Sequence, residues 1–138
     1  MNERYIRQTM IPEIGEAGQE KLKNAKVLIV GIGGLGSPIS LYLTAAGVGQ
    51  IGLIDDDIVS KSNLQRQILY TEAEIGQSKV ECACRRLSAL NSSTRFETYP
   101  NRFTPDNANR LVSAYDIIVD GCDNAATRYL IDDVCSRF

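Results

Sequence analysis

No histidine occurs among the 138 residues, which excludes Ser-His-Asp, Cys-His and His-zinc chemistry built from this chain alone. No Cys-x-x-Cys pair occurs either. The four cysteines, Cys82, Cys84, Cys122 and Cys135, are read as reduced structural residues, because a chain with 43% hydrophobic residues needs no disulfides to fold. Cys82 and Cys84 lie two apart on an expected helix and therefore on different faces, a poor arrangement for a shared metal or disulfide. No block of Lys/Arg is present, and 17 acidic residues outweigh 15 basic ones for a net charge of −2. The footprint of a nucleic-acid or anionic-membrane binder is missing, so phosphate binding would have to be local. No run approaches the roughly 20 apolar residues of a membrane span, and Met1-Asn-Glu-Arg-Tyr5 has no apolar signal core. The expectation is a cytoplasmic protein whose chemistry rests on charge and positioning.

What is present is an alternation of strand and helix patterns. Lys26-Val-Leu-Ile-Val30 is a continuous β-branched run, the mark of a strand covered on both faces. A polar helical pattern, Glu16 to Asn24, precedes it. Ser37 to Ala46 has helical spacing with Pro38 tolerable in the first turn, and Ile51-Gly-Leu-Ile54 is a second strand. Gln77 to Leu90 reads as a helix, Arg95 to Tyr99 as a short strand, Pro105 to Ala114 as a helix, Ile117 to Val119 as another buried strand, and Asn124 onward as a final helix. Arg4 and Arg7 precede any regular element. The fold class that follows is α/β: a Rossmann-like, doubly wound, mostly parallel sheet with helices on both faces. Residues 1–138 form one domain, with an arm and helix over 1–25 and the core over 26–138. The alternation calls for a further strand after the last helix, so the chain is expected to be the N-terminal part of a longer one.

Gly31-x-Gly33-x-x-Gly36 follows a strand and opens a helix, the context in which this otherwise weak motif points to a nucleotide. Gly31 allows the tight turn, Gly33 and Gly34 admit phosphate to backbone N–H groups, and Gly36 permits close helix–strand packing. Asp55, at the end of the second strand, is placed to hold ribose hydroxyls, and Asp57 stands second to it. The fingerprint alone fits a nicotinamide or flavin enzyme. Arg66 and Lys79, together with acids able to hold Mg²⁺, suit charge developing on a phosphoryl group better than hydride transfer. Taken singly, Arg66 would read as a surface ion pair, Lys79 as a solvated helix-start residue, and Asp123 or Asn124 as a helix cap. Cys122 lies near the same site and reads as a small packed residue.

Arg4-Tyr-Ile-Arg7-Gln8, Gly31-Ile-Gly-Gly-Leu-Gly-Ser37, Asp55-Asp-Asp57-Ile-Val59, Ser62-Asn-Leu-Gln-Arg66-Gln67, Gly76-Gln-Ser-Lys79 and Asp120-Gly-Cys-Asp123-Asn124 together resemble the ThiF/MoeB/HesA family, relatives of the ubiquitin-activating enzyme. The resemblance covers nearly the whole chain. It implies ATP- and Mg²⁺-dependent adenylation of the terminal Gly-Gly carboxylate of a ubiquitin-like sulfur-carrier protein, in thiamine, molybdopterin or tRNA-modification routes. By that resemblance Gly34 lies against the adenosine, Asp55 holds the ribose, and Asn63, Arg66 and Lys79 contact the phosphates. Ser62 and Asn124 flank the nucleotide, Asp123 binds the magnesium ion, and Arg7 reaches the triphosphate of the neighbouring subunit in a homodimer. In the family the zinc-binding Cys-x-x-Cys pairs of many members and the later cysteine of some would lie beyond Phe138, so their absence reflects truncation or a zinc-free branch, and zinc is possible only in such a C-terminal region. The rivals are an NAD-dependent oxidoreductase domain and a non-catalytic nucleotide-binding domain.

Overall fold

The first strand, β1 (Lys26–Val30), is buried at every residue after Lys26, as a two-sided apolar run requires. The computed structural model describes residues 2–138. Three further strands, β2 (Gln50–Ile54), β3 (Arg95–Tyr99) and β4 (Ile117–Asp120), complete a sheet in the order β3-β2-β1-β4. All three pairings are parallel. Val27 and Ile29 point into one core cluster and Leu28 and Val30 into the other, the alternation a strand imposes. The first cluster is closed by residues of α2 (Gly15–Asn24), α3 (Gly36–Ala46) and α4 (Lys79–Leu90), including Leu22, Ile39, Val80 and Leu87. The second is closed by α5 (Pro105–Ser113) and α6 (Ala125–Cys135) through Leu111, Val112, Ile131 and Val134. Helices therefore cover both faces, and the sheet is doubly wound as expected.

Connectivity places the site. From β1 the chain winds outward through α3, β2, α4 and β3, then crosses back through α5 to lay β4 on the other side of β1. The order reverses between β1 and β4, and ligands in such sheets bind at the carboxyl ends beside that reversal. In register, Val30 faces both Ile54 and Asp120, so the loops after β1, β2 and β4 leave the sheet at one level.

Element boundaries moved by one or two residues, with one larger correction. The helix expected from Gln77 starts at Lys79 because Gln77 accepts from Val59 N (2.9 Å) and Ser78 bridges to Ile58. The helix expected to reach Ala114 ends at Ser113, and the final helix starts at Ala125 with Asn124 as its cap. The arm holding Arg4 and Arg7 is regular, contrary to the sequence expectation. Glu3–Tyr5 forms a 3₁₀ turn and α1 (Ile6–Thr9) follows it. Distant partners hold this segment. Asn91 Nδ2 donates to the hydroxyl of buried Tyr5 (2.8 Å), Arg4 Nη1 donates to Leu90 O (3.1 Å), and Gln8 Nε2 donates to Ala46 O (3.0 Å). Among the described residues no helix is long and apolar enough to cross a membrane.

Candidate nucleotide site

The loop leaving β1 turns at Gly31, whose φ of 91° lies in the left-handed region. A Cβ there would come within 2.9 Å of Cys122 N and Gly121 C, so the β1 and β4 loops touch backbone to backbone. Gly36 packs behind the turn, where a Cβ would overlap the carbonyl oxygen of Gly31. Two buried or half-buried side chains hold the loop from below. Asp55 Oδ2 accepts from Ile32 N (2.8 Å) and Tyr70 OH donates to Ile32 O (2.6 Å). Burial first, and then the Asp55 charge, push the Tyr70 hydroxyl well above its ordinary range, so it stays a protonated donor.

A crevice of about 530 Å³ opens at this sheet edge, within the size range of small-ligand sites. Gly31, Gly33, Gly34, Asp55, Asp57, Arg66, Asp123 and Asn124 line it, residues drawn from positions 31 to 124 of the sequence. Arg66 is exposed, donates from Nη1 to Ser62 O (3.0 Å), and its stem lies 3.8 Å from where a Cβ on Gly34 would stand. Asp123 stands on the β4 side of the crevice and takes part in no hydrogen bond or ion pair among the described residues. The cap of α6 belongs to Asn124, whose Oδ1 accepts from Thr127 N (2.8 Å), which leaves the Asp123 carboxylate available to a ligand.

Other expected residues sit elsewhere. Lys79 is 4% exposed rather than solvated, with Nζ 3.2 Å from Oδ2 of Asp57. It reaches the crevice only through that carboxylate. Asn63 Oδ1 accepts from Ser60 N (3.1 Å) and Ser60 Oγ (2.8 Å), capping the turn before Arg66. Neither Asn63 nor Ser62 lines the crevice, and Gly36 lies beneath it. Arg7 is exposed on α1, away from the lining. Asp55, expected at the ribose, has both oxygens on backbone N–H groups, the second being Asp57 N (2.9 Å).

Two arginines of the lining, Arg102 and Arg128, carry charge into the crevice with no role expected from sequence, and Gln67 lines it although it was quoted only as the end of the Ser62-to-Gln67 motif. Arg102, 3.8 Å from Asp56, follows the carboxyl end of β3, and that position was itself a signal. Arg128 pairs with Asp120 (Nε–Oδ2 3.6 Å) and donates from Nη2 to Cys122 O (3.1 Å), tying the β4 loop to α6. It sits four residues after the cap Asn124, one helical turn along the same face. Cys122 is buried beside Asp120, and burial together with that hydrogen bond raises its thiol, which keeps it protonated and packed.

The crevice can therefore present backbone N–H groups, three guanidinium groups and several carboxylates to one ligand. Among the described residues no three metal-ligating side chains cluster. A single free carboxylate beside a phosphate-sized cradle fits Mg²⁺, which is commonly held by one or two carboxylates plus substrate phosphates and water.

Sheet order, glycine turn and carboxyl-edge crevice define a Rossmann-like α/β domain with a nucleotide-type pocket. The ThiF family model matches residues 5–138, and the chain belongs to that family. Among curated relatives it is 50% identical over 131 residues to a sulfur carrier protein adenylyltransferase of Thermus thermophilus, covering 95% of this chain and 48% of that protein. It is also 50% identical over 132 residues to the mouse adenylyltransferase and sulfurtransferase MOCS3, covering 96% and 29%. The chain thus spans about half, or less, of these relatives. Among solved structures it superposes on the E. coli tRNA N6-threonylcarbamoyladenosine dehydratase TcdA in complex with ATP with a TM-score of 0.89 at 30% identity, covering 97% of this chain and 55% of that one. E. coli MccB solved with MccA gives 0.88 at 33%, covering 99% and 42%.

Proposed function

We propose that this chain is the nucleotide-binding part of an ATP-dependent adenylating enzyme that activates the C-terminal Gly-Gly carboxylate of a ubiquitin-like sulfur-carrier protein. The observation that carries this is the placement of Arg66 beside Gly34 with the unpaired Asp123 in the same crevice. Cation, backbone N–H groups and free carboxylate meet where a triphosphate and its metal would lie. A relative named as a sulfur carrier protein adenylyltransferase and a neighbour solved with ATP support it.

The chemistry asks little of a general base. A carboxylate is already anionic, so its oxygen attacks the α-phosphorus directly and the bond to the leaving pyrophosphate breaks. The barrier is the approach of one anion to another. Arg66, and Lys79 through its effect on Asp57, would offset that repulsion while the glycine turn fixes the in-line geometry. Mg²⁺ held at Asp123 would neutralise charge on the phosphates. Asp55 would meet the ribose with lone pairs not used by Ile32 and Asp57. Asn63 would contact the phosphates after a small shift of its turn, with Ser62 beside it. Arg7, on a turn fixed by Tyr5 and Gln8, would complete the site of a second copy in a homodimer. Residues 1–138 would be one ATP-binding domain of a longer protein. Four free thiols suit a reducing compartment, the cytoplasm. The carrier would serve thiamine or molybdopterin synthesis, or tRNA modification.

The test is exchange of labelled pyrophosphate into ATP by the full-length protein, with Mg²⁺ and a panel of Gly-Gly-ending carriers. Carrier-dependent exchange that falls about 10²-fold or more in Arg66→Ala is the expected result, and the carrier that works names the route. Absence of exchange with every carrier, together with NAD binding tighter than ATP, overturns the proposal in favour of an oxidoreductase domain.

A further inference from the structure

Gln67 is 5% exposed and lines the crevice, and among the described residues its side-chain amide enters no hydrogen bond. Oε1 is buried without a hydrogen bond, while Nε2 is the end of the amide turned toward Gly33 at the crevice. Its backbone is fixed, with Gln67 N donating to Asn63 O (2.8 Å) and its carbonyl accepting from Tyr70 N (3.3 Å). Its Nε2 lies 3.3 Å from where a Cβ on Gly33 would stand, as the Arg66 stem lies against Gly34. Two successive side chains thus flank two successive glycines.

The unpaired buried Oε1 costs about 1–3 kcal/mol, a cost borne to hold the amide in one orientation, with its donor end toward Gly33. An amide held in that orientation leaves its Nε2 donor free for a ligand that reaches the glycine turn. The donor faces Gly33, where the open backbone admits an acceptor. Phosphate oxygens are the acceptors that approach such a turn. A neutral donor there would differ from Arg66 in kind: it adds direction without long-range attraction, and its rotamer entropy has been lost already on folding.

We propose that Gln67 is a phosphate-positioning residue of this site, its Nε2 donating to a phosphate oxygen of the bound nucleotide over Gly33. This rests on the nucleotide reading above and deepens it. The residue acts on the part of the ligand that carries phosphate and not on base or ribose, so it would discriminate ATP and AMP from adenosine. A Gln67→Leu side chain of similar volume removes donor and acceptor together and leaves no orphaned atom.

The experiment is calorimetric titration of the full-length protein and its Gln67→Leu and Gln67→Glu variants with ATP, AMP and adenosine, alongside thermal unfolding of each ligand-free protein. Gln67→Leu is expected to weaken ATP and AMP by about tenfold or more, the range of a hydrogen bond to a charged group, with adenosine affinity and Tm held or Tm raised. Gln67→Glu, which sets a carboxylate against phosphate, is expected to weaken ATP further. Equal weakening of all three ligands, or a large fall in Tm, makes Gln67 a packing residue and overturns the inference. Unchanged ATP affinity in Gln67→Leu overturns it as well while leaving the nucleotide reading intact. A wild-type protein that does not bind ATP sinks both at once.

Discussion

Gly34 and Gly36 are two residues apart in one motif, and the structure assigns them opposite sensitivities to a single methyl group. At Gly36 a Cβ would overlap the Gly31 carbonyl oxygen and stand 3.0 Å from its carbon. Both are backbone atoms of the turn, so the β1–α3 loop must open. Forcing a methyl into a packed site costs typically 1–3 kcal/mol and sometimes more. Because the clash here is with backbone, we expect Gly36→Ala to lose about 3 kcal/mol, a large share of the roughly 5–15 kcal/mol that holds a domain folded. At Gly34 the nearest atoms to an added Cβ are Cδ and Cγ of Arg66 at 3.8 and 3.9 Å, ordinary contact with a flexible side chain. Gly34→Ala should stay within about 0.5 kcal/mol of wild type. Its methyl nonetheless projects over the turn where phosphate would approach, and ATP affinity should drop about tenfold, or 1.4 kcal/mol. Urea denaturation measures the first quantity and ATP titration the second. A Gly34→Ala variant as unstable as Gly36→Ala, or one binding ATP as wild type does, refutes the assignment of Gly36 to packing and Gly34 to the ligand.

Tyr70→Phe should cost about 1–3 kcal/mol at neutral pH, because the carbonyl of Ile32 loses its buried donor. The hydroxyl titrates above its ordinary value of 10.0 in the folded protein, so the protonated form is favoured by folding. Its contribution is complete below pH 10 and is lost as pH rises through the folded value. Urea midpoints followed above pH 10 should therefore fall more steeply for wild type than for Tyr70→Phe, and parallel curves would count against it. Lys79→Met keeps a buried stem of similar length but removes the cation paired with Asp57. Because that partner is 62% exposed, stability should change by about 1 kcal/mol or less, while pyrophosphate exchange should fall at least tenfold. Exchange at the wild-type rate would reduce Lys79 to a structural ion pair.

Much of the fold was legible because β1 and β2 are short apolar runs whose two-sided burial needs no partner to be recognised. Ile117 to Val119 reads the same way, but β4 lies at the sheet edge, with Ile117 55% exposed, so its place there could not be read from its own residues. The glycine turn and Asp55 were legible for a related reason, since the spacing itself encodes a strand, a turn and a helix start. What could not be read depends on contacts between distant positions. Tyr5 is held by Asn91 and Gln8 by Ala46, so the arm looked irregular in isolation. Lys79 reads as a solvated helix-start residue until Asp57, on another loop, is brought against it. Asp123 and Asn124 were equivalent as caps in one dimension, and only the turn geometry assigns the cap to Asn124. Arg102 and Arg128 carry no motif of their own. They enter the crevice because β3 and α6 end and begin at its rim.

The most direct measurement is intact mass of a Gly-Gly-ending sulfur carrier after incubation with the full-length protein, ATP and Mg²⁺, with released pyrophosphate assayed in the same tube. The expected result is a carrier heavier by one adenylyl group at its C-terminus, pyrophosphate in matching amount, and loss of both with Asp123→Asn or on chelation of Mg²⁺. An unmodified carrier, with ATP bound but intact for every carrier tried, would contradict it and leave a nucleotide-binding domain without this chemistry.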